Sequence, residues 1–144
     1  MVCTFFGHRL ITKEIEPTLR ATLIGLIENH GVNRFYVGNH GGFDAMVLRV
    51  LKGLSSRYPI EFCVVLAYLP QKNDRVDCGT VFPEGLETVP KRFAISYRNK
   101  WMIAQSDYVI TYVDHQIGSG AALFKALAEQ RGKTVIEIGN KQVL

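Results

Sequence analysis

Gly38-Asn39-His40-Gly41-Gly42-Phe43-Asp44 decides the fold, because it joins a short strand-like run to a regular helical pattern. In the strand-like run 34–37 before it, residues 35–37 are aromatic or β-branched, and residues 43–54 after it place apolar side chains three and four apart. Closely spaced glycines let the backbone approach a ligand without a Cβ in the way. The N–H groups and the positive dipole end at the start of the helix favour an anion such as phosphate. This glycine loop (residues 38–44) therefore predicts a ligand-binding turn between a strand and a helix.

A second glycine-containing loop, residues 114–120, also follows a strand-like run and precedes a helical pattern. It supplies Asp114, Gly118, Ser119 and Gly120. In a parallel sheet the carboxyl ends of all strands lie at one edge, so both loops should meet the Gly7-His8-Arg9 segment there. Two such loops at one edge make a nucleotide-type small molecule the leading ligand.

Short apolar runs predict strands, and patterns with apolar residues three and four apart predict helices. The runs are continuous rather than alternating, as in strands that are covered on both faces. Their alternation predicts a single domain over residues 1–144, a Rossmann-like three-layer α/β/α fold with a five-stranded parallel sheet. The strands are expected at 2–6, 34–37, 60–66, 108–113 and 134–138, and the helices at 14–30, 43–54, 94–105 and 119–130. Residues 70–92 are expected to be irregular, as a binding loop or as a surface excursion without a role.

The composition is that of an ordinary folded domain, since 47% of the 144 residues are hydrophobic and 21% are charged. No apolar run approaches the roughly 20 residues that a membrane-spanning helix needs, so we expect no membrane association. The first residues carry no basic stretch before a long apolar run, which indicates a cytoplasmic protein without a signal peptide. Three cysteines without a Cys-x-x-Cys spacing argue against a disulfide framework and a cysteine zinc site.

The net charge of +4 comes from scattered Lys and Arg residues rather than from a basic cluster. Binding of single-stranded DNA would need a contiguous basic face, for which Lys91, Arg92, Arg98 and Lys100 are the candidates, and a steep salt dependence. We therefore do not expect single-stranded DNA as the partner. A homodimer is compatible with the apolar second helix and its neighbours, although the sequence does not place an interface.

Arg98 falls on the apolar stripe of the third predicted helix and should therefore point inward. A buried guanidinium needs an anionic partner, and the candidates are Asp107, Asp114 and a ligand phosphate. Asn99 beside it could donate or accept a hydrogen bond at the same site. Asp44 has two interpretations, because a carboxylate in the first turn of a helix stabilises that helix and could also accept hydrogen bonds from ribose hydroxyls.

His8, His40 and His115 each follow a predicted strand and so belong to the ligand edge. A histidine metal site would need further ligands at recognisable spacing, which the sequence lacks, so no metal and no cofactor are expected. Contact with a phosphate or base is the favoured role for His8. No Ser-His-Asp or Cys-His arrangement is identifiable, and Ser119 is best explained as a helix cap.

The ordered set of motifs resembles the SLOG superfamily, the Rossmann-like group that includes the "lonely guy" phosphoribohydrolases and the DNA-processing protein A domain. The motifs are Phe6-Gly7-His8-Arg9, the glycine loop, Arg98-Asn99-Lys100-Trp101-Met102, Ser106-Asp107-Tyr108-Val109-Ile110 and Gly118-Ser119-Gly120. They span nearly the whole chain and are most similar to those of small bacterial or phage members. The resemblance implies the strand order 3-2-1-4-5, a nucleotide-type ligand, and for Arg98 the place of the arginine that serves catalysis in the phosphoribohydrolases.

One part of the phosphoribohydrolase pattern is absent. Those enzymes carry Pro-Gly-Gly-x-Gly-Thr-x-x-Glu after the fourth strand, and alignment on Gly118-Ser119-Gly120 puts Ala121 at the Thr and Phe124 at the Glu. Phenylalanine can neither stabilise an oxocarbenium ion nor move a proton. The sequence therefore favours a nucleotide-binding or sensing domain. The alternative is a nucleotide N-glycosidic hydrolase in which Arg98 and either Asp44 or Asp114 are the candidate catalytic residues.

Overall fold

The computed structural model describes residues 1–68, 79–113 and 120–139. Within these ranges the chain forms a six-stranded parallel sheet and four α-helices. The strands are β1 (Val2–Gly7), β2 (Arg34–Val37), β3 (Glu61–Val65), β4 (Gly79–Val81), β5 (Tyr108–Tyr112) and β6 (Thr134–Glu137). The helices are α1 (Glu16–His30), α2 (Gly42–Leu54), α3 (Ala94–Gln105) and α4 (Gly120–Gln130). The predicted α/β class and parallel sheet are confirmed.

The strand order is β4-β3-β2-β1-β5-β6, and each neighbouring pair runs parallel. The prediction of five strands in the order 3-2-1-4-5 was wrong, because it left out β4, which pairs with β3 at the edge of the described sheet. β4 has three residues, of which Gly79 and Thr80 are exposed, so it carries no apolar run that a sequence pattern could detect. β2, β3 and β4 are added one after another on one side of β1, whereas β5 and β6 lie on its other side. The strand succession therefore reverses between β1 and β5.

The described part of the region predicted to be irregular, residues 79–92, contains more than β4. Two 3₁₀ turns follow it at Leu86–Thr88 and Lys91–Phe93. Leu86 is buried with Ala67 and Ala94 in a small apolar cluster of its own. Beyond β4, this stretch is therefore packed against the domain through Leu86, and a single buried leucine is too weak a signal to reveal that from the sequence.

The two faces of the sheet are covered by different helices. Alternate strand residues point to opposite faces, so Phe5 and Phe35 pack in a cluster with the buried stripes of α1 and α2. Phe6 and Val109 pack in a second cluster with buried residues of α3 and α4. The layers therefore place α2 on one side of β1 and α3 and α4 on the other, and the carboxyl end of β1 lies between them.

α2 has the most regular apolar pattern and turns all of it inward. The buried residues are Phe43, Met46, Val47, Val50, Leu51 and Leu54. The helix begins after Gly41, whose φ of 92° suits glycine, and Asp44 lies in its first turn. Because the apolar stripe faces the sheet, it offers no surface to a second copy of the chain, and the homodimer stays a prediction.

Of the four residues named for a basic face, three lie at the described surface and one does not. Lys91, Arg92 and Lys100 are exposed, but Arg98 is only 2% exposed and cannot contribute to a surface. Among the helices described, none is long and apolar enough to cross a membrane.

Candidate functional site

A cavity of about 430 Å³ lies at the carboxyl edge of the sheet, where the loop after β1, the glycine loop, α3 and the start of α4 meet. Seven of the predicted site residues line it: Gly7, His8, Arg9, Asp44, Arg98, Asn99 and Gly120. Gly38, Gly41 and Gly42 belong to the adjoining glycine loop rather than to the lining. Asp114, Gly118 and Ser119 lie outside the described residues. Among the described ranges, the structure therefore brings the predicted segments together as expected for the carboxyl edge of a parallel sheet.

The start of α2 is bound to the loop after β1 by two backbone hydrogen bonds. The N–H of Gly42 donates to the carbonyl oxygen of Arg9 at 2.7 Å, and that of Phe43 donates to the carbonyl oxygen of His8 at 3.4 Å. These are two of the N–H groups that a helix N-terminus leaves without an intrahelical partner. The protein itself uses these two N–H groups, so they are not available to an anion in the cavity.

The crowding of the two loops explains why glycines stand at this junction. A Cβ on Gly41 would lie 2.9 Å from Cα of Arg9, and one on Gly42 would lie 2.6 Å from its carbonyl oxygen. Both distances are shorter than any ordinary contact, so a side chain at either position would push the loop after β1 away. Gly41 and Gly42 thus permit a close backbone approach, but the group approached is the protein's own Arg9 and not the ligand that the sequence predicted.

Asp44 stabilises the glycine loop and also faces the cavity. Its Oδ2 accepts a hydrogen bond from the backbone N–H of His40 at 3.0 Å, which closes the turn before α2. Burial raises the pKa of Asp44 to about 6, although this hydrogen bond and the charge of Arg98 act in the opposite direction. The carboxyl group is therefore poised to exchange a proton near neutral pH while it lines the cavity.

Arg98 points inward from α3, as its place on the apolar stripe predicted, and is almost fully buried. Its Nε donates to Oδ1 of Asn99 at 2.7 Å, and its Nη1 donates to the carbonyl oxygen of Val65 at 2.9 Å. Nη1 also lies 3.3 Å from Oδ1 of Asn39. The guanidinium thus ties α3 to the end of β3 and to the glycine loop through neutral oxygens.

Of the three candidate partners of Arg98, the structure excludes one. Asp107 lies at the opposite edge of the sheet, where its carboxylate accepts the N–H of Val2 at 2.9 Å, so it is not the partner. Asp114 lies outside the described residues. The nearby negative charge is Asp44, whose attraction raises the pKa of Arg98, while burial acts more strongly and lowers it. No buried side-chain nitrogen or oxygen of the described residues lacks a hydrogen-bond partner, so Arg98 is stable there without a ligand.

Asn39 is a site residue that the sequence did not reveal, and His40 was placed at the ligand edge without a specific contact. Nη2 of Arg98 lies 3.4 Å from Nδ1 of His40, and the imidazole meets the ring of Tyr68 edge-on. Both residues belong to the glycine loop, whose prediction as a ligand-binding turn rests on its glycines. Their shared partner is more than 50 residues away along the chain, so only the packing of α3 against β3 reveals their role.

The opposite wall of the cavity is apolar. Phe124 of α4 stacks on Phe6 of β1, with ring centroids 5.5 Å apart, and Met102 of α3 lies beside them. Phe124 is 7% exposed and belongs to the core cluster under α3 and α4. The position that carries a carboxylate in the phosphoribohydrolase pattern is thus used here for packing.

Glu137 fixes the end of β5, immediately before the second glycine loop. Its carboxylate accepts hydrogen bonds from Oγ1 of Thr111 at 2.8 Å, from the N–H of Gly139 at 2.7 Å and from the N–H of Val113. It also pairs with Lys125 of α4 at 3.2 Å. Its role was not predictable from the sequence, because a glutamate at the end of a strand gives no signal until the strand register places it beside β5.

The chemistry that this cavity offers is hydrogen bonding and proton exchange beside positive charge. Within the described ranges, no three His, Cys, Asp or Glu side chains are grouped so that they could hold a metal ion, and His115 lies outside those ranges. His8 is buried against the edge of Tyr112 while still lining the cavity. Comparison with known proteins adds no family, since neither a protein-family model nor a curated protein matches the chain.

Proposed function

We propose that the cavity binds a nucleotide or nucleotide-derived ligand. The observation that carries this proposal is the contrast between its two walls. Phe6, Met102 and Phe124 form an apolar side that suits a planar base. On the other side Arg9 and Arg98 supply positive charge, and His40 and Asn99 supply hydrogen-bonding groups, which suit a phosphate and a sugar.

The position and size of the cavity support the same ligand class. It lies beside the carboxyl end of β1, and the strand succession reverses between β1 and β5. Ligands of open parallel sheets bind in the crevice at such a reversal. A volume of about 430 Å³ also lies within the range of ordinary small-molecule sites. Membership of the SLOG superfamily, suggested by the motif order, belongs to this proposal and implies the same class of ligand.

A ligand screen with a charge-reversal variant tests the proposal. The panel is AMP, ADP, ATP, ADP-ribose, NAD and ribose 5-phosphate, and the readout is the melting temperature followed by calorimetric titration. A ligand at about one hundred times its dissociation constant should add roughly 2.7 kcal/mol to the free energy of unfolding. Arg9→Glu keeps the Cβ and Cγ that contact the glycine loop but reverses the charge at the cavity.

Arg131→Glu is the matched control, since it makes the same charge change at an exposed position after α4, at the other edge of the sheet. We expect Arg9→Glu to weaken binding by about tenfold or more and Arg131→Glu to leave it within about twofold. An equal loss in both variants would mean non-specific attraction to a basic protein. A panel without any thermal shift would contradict the proposal.

One observation favours a second function, hydrolysis of the N-glycosidic bond of a nucleotide. Asp44 lines the cavity with its pKa raised by burial to about 6, which suits a general acid or base near neutral pH. Chromatographic detection of free base released from any compound that binds is the test. Turnover by the wild type that is lost in Asp44→Asn and kept in the exposed control Glu129→Gln would support hydrolysis. Binding without base release would leave the protein as a binder.

A further inference from the structure

His40 is held in one protonation state by its neighbour in α3. Nη2 of Arg98 lies 3.4 Å from Nδ1 of His40. A guanidinium nitrogen can only donate, so Nδ1 has to offer its lone pair, and the proton of a neutral imidazole must then be on Nε2. The described residues offer no hydrogen-bond partner to Nε2, and the ring lines the cavity.

Arg98, by contrast, has few donors left for a ligand. A guanidinium has five N–H groups. Asn99, Val65 and Asn39 accept three of them, and Nδ1 of His40 faces a fourth. Bidentate recognition of a phosphate requires two parallel N–H groups, and these are already directed at the protein.

The charges around His40 favour its neutral form. Burial lowers the pKa of His40, and the positive charges of Arg98 and Arg9 lower it further. Among the residues that the structure describes, the titratable or charged groups that face it are Arg98 from α3, Arg9 from the loop after β1, Asp44 from α2 and Tyr68 after β3. The carboxylate of Asp44 accepts the backbone N–H of His40 and does not contact the ring nitrogen that faces Arg98.

We propose that Arg98 is a positioning residue that fixes His40 as the neutral Nε2–H tautomer, and that this N–H donates to a phosphate oxygen of the ligand. The second half rests on the proposed function, because it requires a phosphorylated ligand in the cavity. Arg9, whose guanidinium is exposed near the same side of the cavity, then supplies the charge, and His40 supplies the directed hydrogen bond.

The tautomer is measured without any ligand, by two-bond ¹⁵N–¹H correlation spectra of protein labelled in its four histidines. The signals of His40 are assigned by their loss in His40→Gln. We expect the wild type to show protonated Nε2 and unprotonated Nδ1 between pH 6.5 and 8. In Arg98→Lys we expect the two ring ¹⁵N shifts to move toward each other, as both tautomers become populated.

Binding is then compared between two substitutions of His40 and a control. His40→Gln keeps a side-chain N–H and should bind the best compound of the panel within about fivefold of the wild type. His40→Leu removes the donor and should lose about tenfold or more. His30→Leu, at the end of α1 on the opposite edge of the sheet, should bind as the wild type does.

The positioning role of Arg98 and the donor role of His40 can be contradicted independently of each other. Protonated Nδ1 or an imidazolium in the wild type would overturn the positioning role, whatever the ligand screen gives. Should Arg98→Lys not fold, the wild-type spectrum can still overturn that role. Equal affinities of His40→Leu and His40→Gln would overturn the donor role. A silent ligand panel removes the proposed function and the donor role together, and the comparison of wild type with Arg98→Lys still tests whether Arg98 positions His40.

Discussion

The carboxylate of Asp44 and the guanidinium of Arg98 attract each other across the α-carbon of Gly38. A Cβ on Gly38 would lie 2.8 Å from Oδ2 of Asp44 and 3.2 Å from Cζ of Arg98. The end of β2 can therefore pass between α2 and α3 only because this residue has no side chain. Asp44 and Arg98 both line the cavity, so this close approach determines where its charged groups stand.

Gly38→Ala should destabilise the protein, because the added methyl group has to displace the carboxylate or the guanidinium. Crowding of this kind costs about 1–3 kcal/mol in a well-packed interior. Urea unfolding gives the free energy directly. Gly25→Ala is the control, since a Cβ at this position in α1 meets nothing within 4 Å. It should be neutral or add up to about 1 kcal/mol. Equal stabilities of the two variants would show that Asp44 and Arg98 do not crowd Gly38.

Asp44→Asn should flatten the dependence of stability on pH between about 4 and 6. The pKa of Asp44 is raised from 3.8 in its ordinary state to about 6 in the fold, so the native state binds the proton more tightly than the unfolded state. Stability that is present below pH 4 is therefore lost as the pH rises through 6. The shift corresponds to at most about 3 kcal/mol. Unfolding free energies measured from pH 4 to 8 should converge for wild type and variant at pH 4 and favour the variant at pH 8. The prediction would be contradicted if the wild-type free energy of unfolding rose from pH 4 to 6 and Asp44→Asn removed that rise.

The glycine loop shows which features of a site can be predicted from sequence. Its glycines and the pattern of α2 were sufficient to predict a strand followed by a helix. The spacing of Arg98 relative to Ile95 and Met102 was sufficient to predict that it points inward. These are local signals, since each depends on residues within one or two turns of each other.

Features that depend on strand register or on packing between distant elements were not predictable. The partners of Arg98 are a carbonyl oxygen of β3 and side chains of the glycine loop, and nothing in the sequence brings these near α3. β4 was missed because a strand of three residues with exposed Gly79 and Thr80 has no periodicity. Glu137 shows the same limitation, because its partners at the end of β5 become neighbours only when β6 pairs with β5.

Glu137→Gln should cost about 1–3 kcal/mol, because it removes a charged acceptor from several donors at the end of β5. The Glu137 side chain is 10% exposed, and it accepts from Thr111, Val113 and Gly139 and pairs with Lys125. Glu61→Gln is the matched control. Its ion pair with Arg34 is exposed, with 75% of the glutamate side chain in solvent, so the change should stay within about 0.5 kcal/mol. Chemical denaturation of both variants measures the difference. If Glu61→Gln cost as much as Glu137→Gln, the hydrogen bonds at the end of β5 would not be responsible.

Phe124→Glu places a carboxylate where the phosphoribohydrolase pattern has one, and we expect it to damage the protein rather than to create a hydrolase. The substitution removes the stack on Phe6 and puts a charge into a core cluster, and the loss of a buried phenylalanine alone costs about 3–5 kcal/mol. Leu123→Glu is the control, because Leu123 precedes Phe124 in α4 but its side chain is 65% exposed. A charge at this position should change the free energy of unfolding by no more than about 0.5 kcal/mol. Melting temperatures and release of free base from the nucleotide panel are measured on both. A stable Phe124→Glu that releases base would mean that this wall of the cavity supports hydrolysis once a carboxylate is present. A destabilised, inactive variant would show that Phe124 is needed for packing under α4.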